Sequence, residues 1–192
     1  MDTLTQNRAP RLLDDIQLSL HPGEVRKRSI AELDDLFRTG KAPHPTPNGF
    51  LPGRLITMSV SRPSDAFVRS VAGVYMPWLG KSFDSEAATG LNILTKSAKK
   101  PLKALWPSYT PISESDDKIE AFAFNTRIAP GAIDPEIDVL KIDYDFDANP
   151  NFIIRKILDE LVQVDDGLYL GKILYRWGRS FRPIGFFSLE SR

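Results

Sequence analysis

The sequence predicts a mainly β, antiparallel domain that closes as a barrel or folds as a two-sheet sandwich. Three observations carry that prediction. First, VLKIDYDF (139–146) alternates Leu140, Ile142, Tyr144 and Phe146 against Val139, Lys141, Asp143 and Asp145, the period-two pattern of a strand with one apolar face. Second, the chain ends in three closely spaced extended segments, ILDELVQV, LYLGKILYR and FRPIGFFSL, joined by Asp165-Asp166-Gly167 and Trp177-Gly178-Arg179-Ser180. Short turn-rich joints between such runs make an antiparallel meander. Third, several strands follow one another with few helices between them, and sheets of this kind must close or be covered to hide their edges.

The elements follow in order. Residues 1–28 form a peripheral N-terminal segment, in which Leu12, Leu13, Ile16 and Leu20 have helical spacing until His21-Pro22-Gly23 stops them. A single barrel domain is expected over 29–192. Ser29 precedes Glu32 by three residues, a capping box, and Gly40 fits the end of the helix, whose stripe is Ile30, Leu33, Leu36 and Phe37. The proline-rich run from Lys41 to Gly53 is a connector. Gly53–Ser61 is a strand with Ile56, Met58 and Val60 on its apolar face, and residues 65–75 have helical spacing. MPWLGKSFD and TGLNILTKS read as strands, and KKPLKALW as a loop or single helical turn. KIEAFAFNTRI is a strand in which Ile119, Ala121 and Ala123 oppose Glu120, Phe122 and Phe124. Asn149-Pro150 starts a short helix before the final meander.

Composition narrows the function classes. The 192 residues are 42% hydrophobic and 26% charged, ordinary for a globular chain with a sizeable core. Lys plus Arg equals Asp plus Glu at 25 each, so no global field draws the chain to nucleic acid or an anionic membrane. There is no cysteine, which excludes disulfides, thiolate metal sites and a Cys nucleophile. The N-terminus lacks the basic start and apolar run of a signal peptide, and no apolar stretch reaches the roughly 20 residues a membrane helix needs. A cytoplasmic protein without stable membrane insertion is the expectation.

Several constellations could carry chemistry. The two histidines, His21 and His44, sit beside prolines in expected loops, so neither a metal site nor a Ser-His-Asp triad is expected. In DYDFD, Asp143, Asp145 and Asp147 share one strand face and read as its solvated side rather than a cation site. Asp159 and Glu160 point to opposite faces of their strand, so one enters the interior. That carboxylate either pairs, with Lys172 or Arg155, or has its pKa raised and becomes an acid or base. Arg127 could hold a ligand carboxylate at a barrel mouth or lie on the surface. Lys96, Lys99, Lys100 and Lys103 near Trp106 read as a solvated basic loop rather than an anion, RNA or membrane site. In QVDDGLYLGK, Tyr169 and Gly171 share one face and Lys172 the other: either Gly171 opens space beside an inward Tyr169, or Lys172 is the inward charge.

Three stretches together resemble a little-characterised bacterial and fungal family named for its G-x-W-x-G motif, whose members carry a C-terminal domain of unknown function. Gly49-Phe50-Leu51-Pro52-Gly53-Arg54 is similar to the motif, with Leu51 in the tryptophan's place. Trp78-Leu79-Gly80-Lys81-Ser82-Phe83-Asp84 resembles that family's W-x-G-K-x-F segment. The third stretch covers Asp143-Tyr144-Asp145, Ile157 to Leu161, Gly171 and Phe186 to Leu189. The resemblance spans about Leu33 to Leu189 and implies a lipocalin-like, calycin-type barrel with a helix over one end and no assigned activity.

Meander, aromatics and resemblance together lead to one expectation: a barrel that encloses a small apolar molecule, lined by Trp78, Lys81, Phe124, Arg127, Tyr144, Tyr169 and Lys172, with no cofactor and no nucleic-acid partner. Such a barrel is either filled by side chains or holds a ligand. The alternative is a cofactor-independent isomerase or cyclase, with Asp159 or Glu160 as acid/base and Tyr169 or Arg127 stabilising developing charge. A structural or interaction role would instead show a packed barrel with an exposed apolar patch.

Overall fold

The computed structural model describes residues 24–58 and 77–191; the expected helices at Leu12–Leu20 and in 65–75 lie outside them, as does the first strand beyond Met58. Helix α1 (Glu24–Thr39) begins before Ser29, which therefore lies within the helix rather than capping it. Glu-Val-Arg-Lys-Arg offers no breaker after Gly23, so the helix runs back to it. Gly40 follows because of a neighbour: a Cβ there would meet a Val162 methyl at 2.5 Å.

The strands are β1 (Gly49–Met58), β2 (Trp78–Asp84), β3 (Thr89–Thr95), β4 (Ser113–Glu114), β5 (Lys118–Pro130), β6 (Asp138–Asp143), β7 (Ile157–Asp165), β8 (Leu168–Trp177) and β9 (Ser180–Glu190). They pair antiparallel in the order β3-β2-β1-β9-β8-β7-β6-β5, and β3 pairs β5 to close an eight-stranded barrel, with β4 a flank on β5. This is the mainly β, lipocalin-like barrel the sequence predicts. KKPLKALW forms helix α2 (Lys99–Leu105) after a 3₁₀ turn, Lys96–Ala98. Among the described residues no helix is long and apolar enough to cross a membrane.

Two apolar layers form. Inward positions from all eight strands make the main core, including Phe83, Phe124, Ile142, Leu161, Ile173 and Phe187. Outward, Ile56, Val139, Val162, Leu170 and Phe186 meet Leu33 and Phe37 of α1, so the helix covers one stretch of the outer wall. Each large apolar side chain fully buried there contributes about 1.5–3 kcal/mol.

Bulges decide which residues face inward. An unpaired Ile56 between Leu55/Phe187 and Thr57/Phe186 sends Ile56 out under α1 and Met58 into the barrel, although alternation assigns them one face. On β5 the register slips between Ala121 and Phe124, with Phe122 at φ 54. Ala121, Phe122 and Phe124 consequently all join the inner core, correcting the opposed faces expected from strict alternation. On β2 the extra residue is Leu79, between Trp78/Leu94 and Gly80/Ile93. Trp78 and Lys81, three apart and so on opposite faces of a regular strand, thereby both point inward. Gly80 is required at this bulge: its φ is +148, and a Cβ would lie 2.1 Å from the Leu51 carbonyl oxygen.

Asn149 does not start a helix. Its amide donates to the carbonyls of Ala123 (2.6 Å) and Tyr144 (3.0 Å), tying the β6–β7 connection to β5, and a 3₁₀ turn, Ile154–Lys156, leads into β7. The DYDFD carboxylates face outward to arginines: Asp143 to Arg127, Asp145 to Arg155 and Arg176, and Asp147 to Arg155.

Candidate functional site

A polar cluster is sealed inside the barrel. Lys81 on β2 and Asn92 on β3 are direct cross-strand partners, while Asp159 projects from β7, on the opposite wall of the ring. Lys81 Nζ spans the interior, 2.9 Å from Asp159 Oδ2 and 3.0 Å from Asn92 Oδ1, and also donates to the Tyr144 hydroxyl. Tyr144 donates to Asp159 Oδ2 at 3.2 Å, and the Trp78 indole N–H donates to Asn92 Oδ1 at 3.1 Å. Asn92 Nδ2 donates to the Phe122 carbonyl at 3.1 Å and to Tyr144 at 3.0 Å. Four rings, of Trp78, Phe124, Tyr144 and Phe187, surround the ammonium at 5.0–5.5 Å.

Lys81 and Asp159 have no solvent exposure. Burial pushes the Lys81 pKa down against the pull of Asp159, and pushes the Asp159 pKa up against Lys81 and Tyr144. Asp159 Oδ1 has no hydrogen-bond partner. A pair placed like this is poor value for stability, because removing two charges from water costs as much as their attraction returns, and apolar pairs of similar volume often do as well. An orphaned buried carboxylate oxygen adds to the cost.

Glu160 and Lys172 pair on the next rung, facing outside the barrel, with Lys172 beneath α1. Glu160 accepts from Lys141 Nζ at 2.8 Å and from the Ala132 N–H at 2.7 Å. Lys172 lies 2.6 Å from both Asp34 of α1 and Asp134, and Arg38 of α1 binds Asp134 at 2.9 Å. The expected pairing of Asp159 or Glu160 with Lys172 or Arg155 is therefore replaced by Lys81 for Asp159 and Lys141 for Glu160. Neither Glu160 nor Lys172 faces the interior that a barrel ligand would occupy. Arg127 is half exposed and paired with Asp143, away from the inner cluster. Tyr169 does point inward, but the rung between it and Asp159 is Gly171, and the Phe187 ring occupies the space over that glycine: a Cβ there would lie 2.1 Å from it. Gly171 makes room for a ring of the protein itself.

Among the described residues, a void of about 10 Å³, the least that admits a water, lies against Trp78, Asn92, Tyr144, Phe122, Ile154 and Ile157. Outside, a cleft of about 660 Å³ opens between residues 105–110 and 148–152. Phe122 connects the two. It borders the void and contacts two rings that line the cleft, stacking on Tyr109 at 5.2 Å and meeting Trp106 edge-on at 5.5 Å. Both sides of this seam carry unusual backbone: Phe122 at φ 54 and Ile153, a β-branched residue, at φ 78. Such conformations cost about 1–3 kcal/mol each and persist where surrounding structure enforces them.

Sequence reasoning had singled out Trp78, Lys81, Phe124, Tyr144 and Asp159, which the structure brings together. It passed over Asn92, whose signal was one polar residue in the apolar run Leu91-Asn92-Ile93-Leu94. It also passed over Lys141 and Asp134, which carry the outer network. Trp106 is buried, with its indole bonded to the Phe152 carbonyl at 3.0 Å, so it is no stacking platform beside the exposed Lys99, Lys100 and Lys103.

No family model matches the chain, and no curated protein is significantly similar to it. Its fold resembles a solved structure described as the crystal structure of a protein from Thermomonospora curvata, with a TM-score of 0.54, 14% identity and 99% of each chain covered. At that identity the likeness speaks to the fold alone.

Proposed function

We propose that the barrel takes up a small, largely apolar molecule and holds its polar group at Lys81, Asp159 and Tyr144. The observation that carries this reading is the sealed ion pair with its orphaned Asp159 Oδ1. A barrel of this size can be filled by apolar side chains alone, so an inner charge pair with spare hydrogen-bonding capacity is better accounted for by recognition than by stability. Apolar walls with a few convergent polar groups are the usual make-up of small-molecule sites. The void admits no more than a water, so a ligand's body lies along the seam at Phe122 and Ile154 and reaches the outer cleft. Binding requires these side chains to part.

Kinship with the G-x-W-x-G family belongs to the same proposal. In the segment Trp78-Leu79-Gly80-Lys81-Ser82-Phe83, Leu79 bulges, Gly80 permits the bulge, and Trp78, Lys81 and Phe83 point inward. Leu51, standing in the motif tryptophan's place, pairs with Lys81 across β1 and β2. Both motifs thus converge on the inner lysine.

A cofactor-independent isomerase or cyclase is a second reading of the same cavity, favoured by the burial that raises the Asp159 pKa. In it Asp159 is the acid or base, and Lys81 and Tyr144 stabilise developing charge. Displacement of the fluorescent probe 1-aminoanthracene by geraniol tests uptake itself. Saturable one-to-one displacement is expected. If geraniol, geranic acid and citral all fail to displace or bind, the uptake reading falls.

A further inference from the structure

We propose that Lys81 captures the carbonyl group of a small apolar aldehyde or ketone as an imine, with Asp159 as its proton partner and counter-ion. This rests on the uptake reading and adds to it a ligand class and a covalent step.

The choice of residue is informative. Lysine gives up its proton readily when buried, which arginine does not. Here the carboxylate meets lysine through Oδ2 alone and Oδ1 stays free. The other two buried lysines among the described residues, Lys141 and Lys172, both serve the outer wall. Lys81 is the one aimed into the barrel, and it borders the same Asn92 and Tyr144 that line the void.

Once the side chains part to admit the carbonyl, the surroundings supply the proton transfers that imine formation needs. A nucleophilic amine must first lose its proton, and burial favours that loss at Lys81 while favouring proton gain at Asp159. Transfer from Nζ to Asp159 leaves both groups neutral. The Nζ lone pair then forms a bond to the carbonyl carbon, and the carbonyl π pair moves to oxygen. A proton passes from nitrogen to that oxygen, giving a neutral carbinolamine. Asp159 returns its proton to the carbinolamine hydroxyl, which leaves as water while the nitrogen lone pair forms the C=N bond. The product is a protonated imine facing the Asp159 carboxylate. Atoms and charge balance: one amine and one carbonyl give one imine and one water, and the cation–carboxylate pair present at the start is present at the end. The rings at 5.0–5.5 Å from Nζ that accommodate an ammonium accommodate the iminium as well.

Citral, an apolar aldehyde, incubated with the full chain and sodium cyanoborohydride tests this, with geraniol as the alcohol that cannot form an imine. Intact mass and peptide mapping should show one reduced adduct per chain on Lys81, and its loss in Lys81→Met/Asp159→Leu. Mapping on the unaltered protein locates the adduct whether or not that variant folds. Saturable binding of citral and geraniol without an adduct on Lys81, or with adducts spread over surface lysines, overturns the imine and leaves uptake standing. Failure of both compounds to bind overturns both.

Discussion

Lys81 Nζ lies 2.9 Å from Asp159 Oδ2 across the barrel interior, and solvent reaches neither side chain. Removing one member strands the other. Asp159→Leu is expected to lower the unfolding free energy by about 3–5 kcal/mol, measured by urea denaturation. A loss below about 1 kcal/mol, the scale of an exposed pair, would mean that Lys81 carries no charge to strand.

On the outer wall Lys172 joins α1 to the barrel through Asp34 and Asp134, and its ammonium lies 4.2 Å from the Phe37 ring centroid. Lys172→Met should cost about 1–3 kcal/mol, because it removes the buried ammonium that joins Asp34 to Asp134 while Arg38 still partners both carboxylates. The 40–48 connector should be cut faster in limited proteolysis while probe binding persists. Loss of binding with α1 still protected would contradict the division between a structural outer network and an inner site.

Acid should weaken the same clamp. Burial pushes the Asp134 carboxyl up, but the bonds from Lys172 and Arg38 and their charges outweigh it and hold its pKa below the usual carboxylate range. Its unfolded value is near 3.9, so between the two values the unfolded chain binds more protons. The contribution is complete above about pH 3.9 and disappears as pH falls through the folded value. Denaturation midpoints followed downward from pH 5 should show this loss, and Asp134→Asn should flatten it; an equal slope in the variant would rule Asp134 out as its source.

Gly171→Ala tests how tightly the barrel is filled. The new Cβ would meet the Phe187 ring at 2.1 Å, and overpacking of this kind costs about 1–3 kcal/mol. A neutral variant by thermal unfolding would mean that Phe187 swings away freely and that the rung beside Tyr169 is available space.

Much of the barrel was legible because period-two alternation survives closure: the 139–146 pattern places Leu140, Ile142 and Tyr144 inward and Lys141 outward, as found. Asp159 and Glu160 fell on opposite faces for the same reason. Bulges at Ile56, Leu79 and Phe122 were not legible, since each is defined by its register against a partner strand, which the strand's own pattern does not show. Ion-pair partners failed similarly. Lys172 and Arg155 are near Asp159 in the chain, but barrel closure brings Lys81 from the opposite wall. Alternation within β8 put Tyr169 and Lys172 on opposite faces without fixing which is inward; that Tyr169 points in, and that Phe187 fills the space beside it, depends on β9 and the closed barrel.

The most direct test separates the fold from the site. In Lys81→Met/Asp159→Leu the pair is replaced by apolar side chains of similar volume, and stability should stay level or rise by up to about 4 kcal/mol. Displacement of 1-aminoanthracene by geraniol, measured on that folded variant, should be lost. A stable double variant that binds geraniol as tightly as the unaltered chain would contradict the assignment of the inner ion pair to ligand recognition.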